Sequence, residues 1–459
     1  MRRLTTSRLA LVVFSFLVAA ACGPNGGGGD DDDDGGGDGG LTNCQGECGN
    51  LTGTVWAPSM GPGMVPAGQE IPIFGALVYV TLNRPAPIPT QVYCETCISS
   101  PGGVLTDHDG KFDIGPIRPG TYWLIIQKGQ FRLEQEVTVT VGPRALADAD
   151  TVLPSVMDAV NGKTIPRIAM VVGSYDSLED ILGKMGLGGV DGTGSMSSTM
   201  GEIDVYTNGG TVPPDTTAMG TLTQLVGDLN RLKQYHIVFI PCASSGNSAA
   251  LQNQQNLRNI RQYVEAGGKL YVTDWSGEWM DNVFPAPITL GDSGTDTPGS
   301  AYNAAADSWT TSQFGDADGS FYNSTDGEAL NPDLRTWLEG QQGPRGESGD
   351  DIGPFNPIDF DVFDNWNWIS QLTPQVVGQN AESMDIIDTP EAWVIGSGSS
   401  GGAGKKPLTV TFNPPGCGRV LFSTYHTTPT AHLGLIPQER VLLYLIMEIG
   451  VCNTNPPIG

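Results

Sequence analysis

Asp274, Glu278 and His426 are the side chains of this 459-residue chain that could work together as an acid–base or metal cluster. A carboxylate and an imidazole at neighbouring strand ends can pass a proton between them or hold a divalent cation. The plainer reading is that His426 and Asp274 hydrogen-bond loops at the strand ends. Cys242 follows an apolar strand, at the carboxyl end, where α/β sheets bind ligands. No sequence neighbour of Cys242 would lower its pKa, and a buried inert thiol is the commoner state. Ser244, Ser245 and Ser276 are loop serines with no assignable base. The four candidates Cys242, Asp274, Glu278 and His426 therefore stay candidates. No cofactor is predicted beyond a divalent metal at that cluster.

The elements that must position these residues are clearest between 231 and 279. Ile237 to Ile240 is a short β-branched run suited to a strand covered on both faces. Leu257, Ile260 and Val264 recur at helical spacing, and Gly267-Gly268 stop the helix. Leu270 to Thr273 is the next strand, so the unit reads as βαβ with a right-handed crossover. Upstream, Arg167 to Gly173 is a buried strand, Leu178 to Met185 a helix, Ile203 to Tyr206 a weaker strand and Leu222 to Leu232 another helix. This alternation predicts a doubly wound, mostly parallel α/β sheet of the flavodoxin-like kind over 163–455.

A long loop-rich insertion, about 285–405, interrupts that pattern. It carries isolated aromatics, and its acidic turn fails the calcium-loop spacing, because the twelfth position from Asp316 is Gly327. The sheet resumes at Leu408 to Phe412 and Arg419 to Ser423, and Pro437 starts a closing helix.

The N-terminus sets the address. Arg2, Arg3 and Arg8 precede the apolar run Leu9 to Ala21, and Ala19-Ala20-Ala21-Cys22 ends it, the layout of a signal peptide over 1–22. Residues 23–50 include GGGGDDDDDGGGDGG, a solvated, self-repelling tether. Losing three arginines from 23 basic residues leaves 20 against 50 acids, a net charge of −30. Phosphate-backbone binding needs clustered cations, so no nucleic-acid partner is expected. Cysteine use fits export: Cys44, Cys48, Cys94 and Cys97 predict two disulfides between the tether end and the 94–97 loop, and Cys417 with Cys452 a third. A zinc site at the first four is the alternative in a reducing compartment. Cys242 is left over.

Ala-Ala-Ala-Cys resembles a bacterial lipobox, which implies lipidation of Cys22 and a membrane-anchored envelope protein. Gly23 in place of the retention aspartate implies the outer membrane. Between 51 and 150, short alternating segments separated by turns predict a small antiparallel β-sandwich. The order GTVW, GALVYV, TDHDGKFDIG, RPGTYWLII resembles the carboxypeptidase regulatory-like (transthyretin-like) domain. That resemblance implies a non-catalytic prealbumin-like sandwich, to which Pro85 to Cys97 adds a proline-rich loop of its own. Asp107 and Asp109 read as turn formers rather than calcium ligands.

YHIVFIP, YVEAGGKLYVTDWSGEW and GCGRVLFSTYH resemble the class I glutamine amidotransferase-like fold, near its trehalose-utilisation-type branch. In catalytic members a thiol nucleophile stands at a strained elbow after the second strand. Here the elbow falls on 273–277 and the nucleophile position is Trp275, whose indole cannot attack a carbonyl. The resemblance thus implies a non-catalytic binding protein for a small molecule, glycan or protein. The alternative is an envelope hydrolase using the Asp/Glu/His pocket, metal-assisted or not.

Overall fold

The computed structural model describes residues 41–97, 102–243, 246–291, 302–309, 324–380, 382–398, 404–427 and 430–449, with a short backbone strand at Cys22–Gly23. The signal segment, most of the tether, the side chains of Cys22 and Cys97, and Ser244, Ser245 and Cys452 lie outside the described residues. Among the described residues no helix is long and apolar enough to cross a membrane.

The chain builds several sheets and few helices. Residues 49–164 form two sheets with a common core. One runs in the order Lys163–Thr164, Phe131–Val139, Gly120–Lys128, Leu77–Thr81 and Val104–Leu105, every pair antiparallel. The other joins Gly49–Thr54 to Lys111–Ile117 and to Gly142–Ala145. Alternating Phe112 and Ile114, and Leu124 and Ile126, point into the shared core. This arrangement is compatible with a β-sandwich. It departs from the all-antiparallel expectation in one place, since Gly49–Thr54 and Gly142–Ala145 run parallel.

The larger sheet has ten strands. Those that matter here are β1 (Ile168–Val172), β2 (Ile203–Thr207), β3 (Ile237–Ile240), β4 (Lys269–Thr273), β5 (Ser324–Ala329), β6 (Phe360–Phe363), β7 (Glu391–Ser397), β8 (Lys406–Phe412) and β9 (Arg419–Ser423). The spatial order from the Gly220–Thr221 edge is β2, β1, β3, β4, β9, β8, β7, β5, β6. Pairing is parallel as far as β9 and antiparallel from β9 to β6. The segment expected to be a loop-rich insertion therefore supplies β5, β6 and β7. Their signal is weak because β5 carries Asp326, Gly327 and Glu328 in place of apolar residues and Phe360–Phe363 is only four residues long.

Both faces of the parallel part are covered. Ile168, Met170, Phe239, Tyr271 and Leu421 pack with α1 (Leu178–Leu182) and α5 (Pro437–Ile449). Val171, Ile240, Val272 and Phe422 pack with α2 (Leu222–Val226), α3 (Gln254–Glu265) and α4 (Glu278–Val283). The α1/α5 face is continuous with the core of the small sheets, so one apolar cluster spans both.

The expected disulfide scheme is corrected. Cys44 pairs locally with Cys48, and Cys94 pairs with Cys417, 323 residues away. The Pro85 to Cys97 loop lies against the large sheet rather than standing out as a separate feature. Val92 N donates to Lys233 O at 2.9 Å, His236 Nε2 donates to Pro89 O at 2.8 Å, and Lys269 pairs with Glu95 at 3.0 Å in a buried contact. These contacts bring Cys94 to Cys417 at the start of β9, which explains a pairing that sequence spacing cannot show.

Candidate functional site

Register makes the site. Within the parallel sheet Ile240 lies beside Val272, and Thr273 beside Ser423, so β3, β4 and β9 end together. The residues just past these ends are Pro241-Cys242, Asp274 and Thr424 to His426. Asp274 opens a tight turn with φ of +42°, in the left-handed region that costs a non-glycine residue roughly 1–3 kcal/mol. The strained position is therefore Asp274, one residue before the Trp275 that the amidotransferase resemblance places at the nucleophile position.

Hydrogen bonds beneath these residues fix their positions. Cys242 N donates to Thr273 Oγ1 at 2.9 Å, and Thr273 Oγ1 donates to Asp176 Oδ2 at 2.5 Å. Asp176 Oδ1 accepts from Thr427 N and Oγ1 at 3.1 and 2.7 Å. One buried carboxylate beyond β1 thus ties β4 to the loop carrying His426. From the side, Ser276 Oγ donates to Pro241 O at 2.6 Å and accepts from Asn247 Nδ2 at 3.0 Å. Ser276, weighed as a loop serine, is part of this bracing.

Cys242, Asp274 and His426 each offer one metal-ligating atom, and these three atoms lie within 4.8 Å of one another. His426 Nε2 is 2.6 Å from Asp274 Oδ2. All three residues are buried. Glu278, the fourth candidate, is turned into its own helix, where Oε2 accepts from Asn282 Nδ2 at 2.9 Å.

Burial pushes the Asp274 carboxyl up to about 6, with the Asp176 charge in the same direction and the His426 charge opposing. Burial alone would lower His426, but Asp274 first and then Cys242 outweigh it and hold the imidazole well above its ordinary value. Burial, then the Asp274 charge, pushes the Cys242 thiol up to about 11. Cys242 on its own is therefore a thiol at neutral pH and a poor nucleophile. A bound cation reverses that logic, because a coordinating thiol ionises. Asp274 Oδ2 and His426 Nε2 are buried and face each other at 2.6 Å, while Asp274 Oδ1 is buried with no side-chain hydrogen-bond partner among the described residues. Leaving a buried polar atom unpaired costs roughly 1–3 kcal/mol, more when charged. A thiol, an imidazole and a carboxylate form a tetrahedral zinc-type set with one position open.

Above the three residues is a cavity of about 310 Å³. Its walls are Tyr175, Trp275 and Trp366, with Asp364 at the side. Tyr175 stands edge-on to Trp275 at 5.9 Å and 88°, and Trp366 meets Trp275 at 6.4 Å and 65°. Asp364 and Trp366 come from the 285–405 segment. They are tied to the site where Asn365 bridges Tyr425 and His426 N donates to Asp364 O at 3.3 Å.

Sequence reasoning found Asp274, His426 and Cys242, and missed Asp176, Tyr175, Asp364 and Trp366 as site residues. For Tyr175 and Asp176 a signal existed, a polar step directly after the buried β1 strand. For Asp364 and Trp366 none did, since nothing local says that the segment folds back over the strand ends.

No protein-family model and no curated protein sequence matches the chain. Among solved structures it is similar to Cytoplasmic Protein STM1381 from Salmonella typhimurium LT2, at 11% identity and a TM-score of 0.32, covering 61% of this chain and 98% of that one. Cytoplasmic Protein STM3548 from Salmonella typhimurium follows at 10% identity and a TM-score of 0.30, covering 62% and 100%. A catalytic mutant of Gan42B, a GH42 beta-galactosidase from G. stearothermophilus, has 11% identity and a TM-score of 0.26, covering 64% and 32%.

Proposed function

We propose that the large sheet carries a mononuclear divalent-metal centre at Cys242, Asp274 and His426, in an envelope lipoprotein anchored through Cys22, and that the cavity above it receives a small ligand. The observation that supports this reading is the convergence of three buried ligand atoms from three strand ends, all within 4.8 Å of one another. Zinc is the ion best suited to a thiolate, imidazole and carboxylate set. Bound there, it would supply a Lewis acid facing the cavity. Asp176 holds the Thr273 and Thr427 loops in register, and Trp275 and Trp366 limit access of water.

The doubly wound, amidotransferase-like reading of 163–455 belongs to the same proposal. Parallel pairing from β2 to β9, with helices packed on both faces, supports it. The transthyretin-like reading of 51–150 is supported by the two small sheets and their shared core. Outer-membrane placement follows from the lipobox resemblance and Gly23.

A hydrolytic role is the second reading, favoured by the backbone strain at Asp274 and by the open fourth ligand position. Strain of this kind clusters at working sites.

Elemental analysis of the purified protein tests the centre. The wild type is expected to carry about one equivalent of zinc, retained through dialysis, and Asp274→Asn, His426→Ala and Cys242→Ser to lose most of it. Cobalt substitution should add a thiolate-to-metal charge-transfer band that Cys242→Ser abolishes. Wild-type protein that stays metal-free after incubation with zinc and cobalt would sink the proposal.

A further inference from the structure

The same cavity has a second chemical character, set by its walls rather than its floor. Tyr175, Trp275 and Trp366 present three ring systems at steep mutual angles, 88° and 65°, with centroids 5.9 and 6.4 Å apart. Asp364 stands beside them. Its Oδ2 is buried and has no hydrogen-bond partner among the described residues, and its backbone is held at φ of +50°. Asp274, fully buried beneath, faces His426. Among the described residues no lysine or arginine lines the cavity, and His426, the one basic group among them, already faces Asp274 at 2.6 Å.

Aromatic faces turned toward one volume attract a cation through their quadrupoles, most strongly when the site is desolvated. A carboxylate at the rim adds a charge for the cation to meet. A thiolate and a carboxylate at the floor would neutralise a divalent ion, which leaves the Asp364 carboxyl to face a cation in the cavity. We propose that this cavity binds a methylated or quaternary ammonium group, seated between Trp275 and Trp366 and facing Asp364. The inference rests on the ligand-binding reading of the same cavity and adds the class of ligand. The volume, about 310 Å³, leaves room beyond a trimethylammonium head for a short tail reaching toward the floor. The chain's overall charge of −27 favours approach of a cation.

The test uses the full-length, metal-loaded protein in detergent micelles, titrated with choline by calorimetry and tryptophan fluorescence. The control ligand is choline's neutral isostere, the dimethylbutanol in which a tert-butyl group replaces trimethylammonium. Choline is expected to bind about tenfold or more tightly than the isostere. Asp364→Asn and Trp366→Leu should each weaken choline by about tenfold, with metal content and melting temperature held at wild-type values. Trp366→Phe, which keeps a ring, should restore most of the affinity and exclude a folding defect. Equal affinity for the isostere, or no saturable choline binding, overturns the inference. So does displacement of bound choline by glucose in a Trp366-dependent way, since that marks a sugar platform. Metal content read on the same samples separates this failure from failure of the metal centre, and the choline titration is repeated on metal-free protein.

Discussion

At the scale of single residues the chain repeatedly places titratable groups where water does not reach. His236 is the clearest case away from the cavity. Its Nδ1 accepts from Arg167 N at 2.9 Å and its Nε2 donates to Pro89 O at 2.8 Å, which fixes one neutral tautomer. Burial, together with the charges of Lys269 and Arg167, lowers its pKa from 6.5 to about 4, with the Pro89 carbonyl opposing. The unfolded chain takes up a proton near 6.5, whereas the folded protein resists until about 4. Stability from this residue is therefore complete above that unfolded value and lost as pH falls toward the folded one, by roughly 3 kcal/mol in all. Denaturant titrations across that interval should show the loss in the wild type, and His236→Gln should flatten it. An unchanged slope in the variant would show that His236 does not carry the effect.

At the scale of elements, α3 lies in the crossover from β3 to β4, the strands whose register places Cys242 near Asp274. Asn253 caps its start by accepting from Gln255 N at 3.0 Å. Leu257, Ile260 and Val264 bury one face against the sheet. Gly267 ends it with φ of +108°, where a side chain would also run into the Tyr93 carbonyl. Gly267→Ala is expected to destabilise the protein by more than about 1 kcal/mol, because strain and a backbone clash add to each other. Thermal unfolding measures this, and a variant as stable as wild type would show that the α3–β4 turn yields. The effect should reach the site as weaker metal retention, since β4 carries Asp274.

At the scale of the whole molecule, the small sheets and the large one act as a single body. Their apolar cores are continuous, and ion pairs cross between them, the buried Lys269 to Glu95 at 3.0 Å and the partly buried Lys128 to Glu448 at 2.5 Å. Trp337 Nε1 adds a 2.7 Å hydrogen bond to Pro72 O. The Cys94–Cys417 disulfide closes this arrangement across 323 residues. Constraining so long a segment of the unfolded chain stabilises by about 2–5 kcal/mol. Cys417→Ser should lower the melting temperature accordingly and make the Pro85–Cys97 loop a target for limited proteolysis, while Cys44→Ser should leave that loop protected. Equal protease resistance in the two variants would show that ion pairs and packing hold the loop without the disulfide.

Local pattern was enough for the elements whose burial follows a short-range run, spacing or alternation along the chain. The β-branched run at Ile237, the helical spacing of Leu257, Ile260 and Val264, and the turn-separated strands of 51–150 are all legible in the sequence, because each signal lies within a dozen residues. Cys242, Asp274 and His426 were legible for a related reason, as residues that could do chemistry lying within three positions of a strand end. Their convergence was not, because it depends on the register of β3, β4 and β9, which pairing across nearly two hundred residues decides. The cavity walls were hidden further still. Asp364 and Trp366 gain their place only when β5, β6 and β7 extend the sheet and bring that segment back over the strand ends. The Cys94–Cys417 pairing has the same origin, since a disulfide follows proximity in space and spacing along the chain does not encode it.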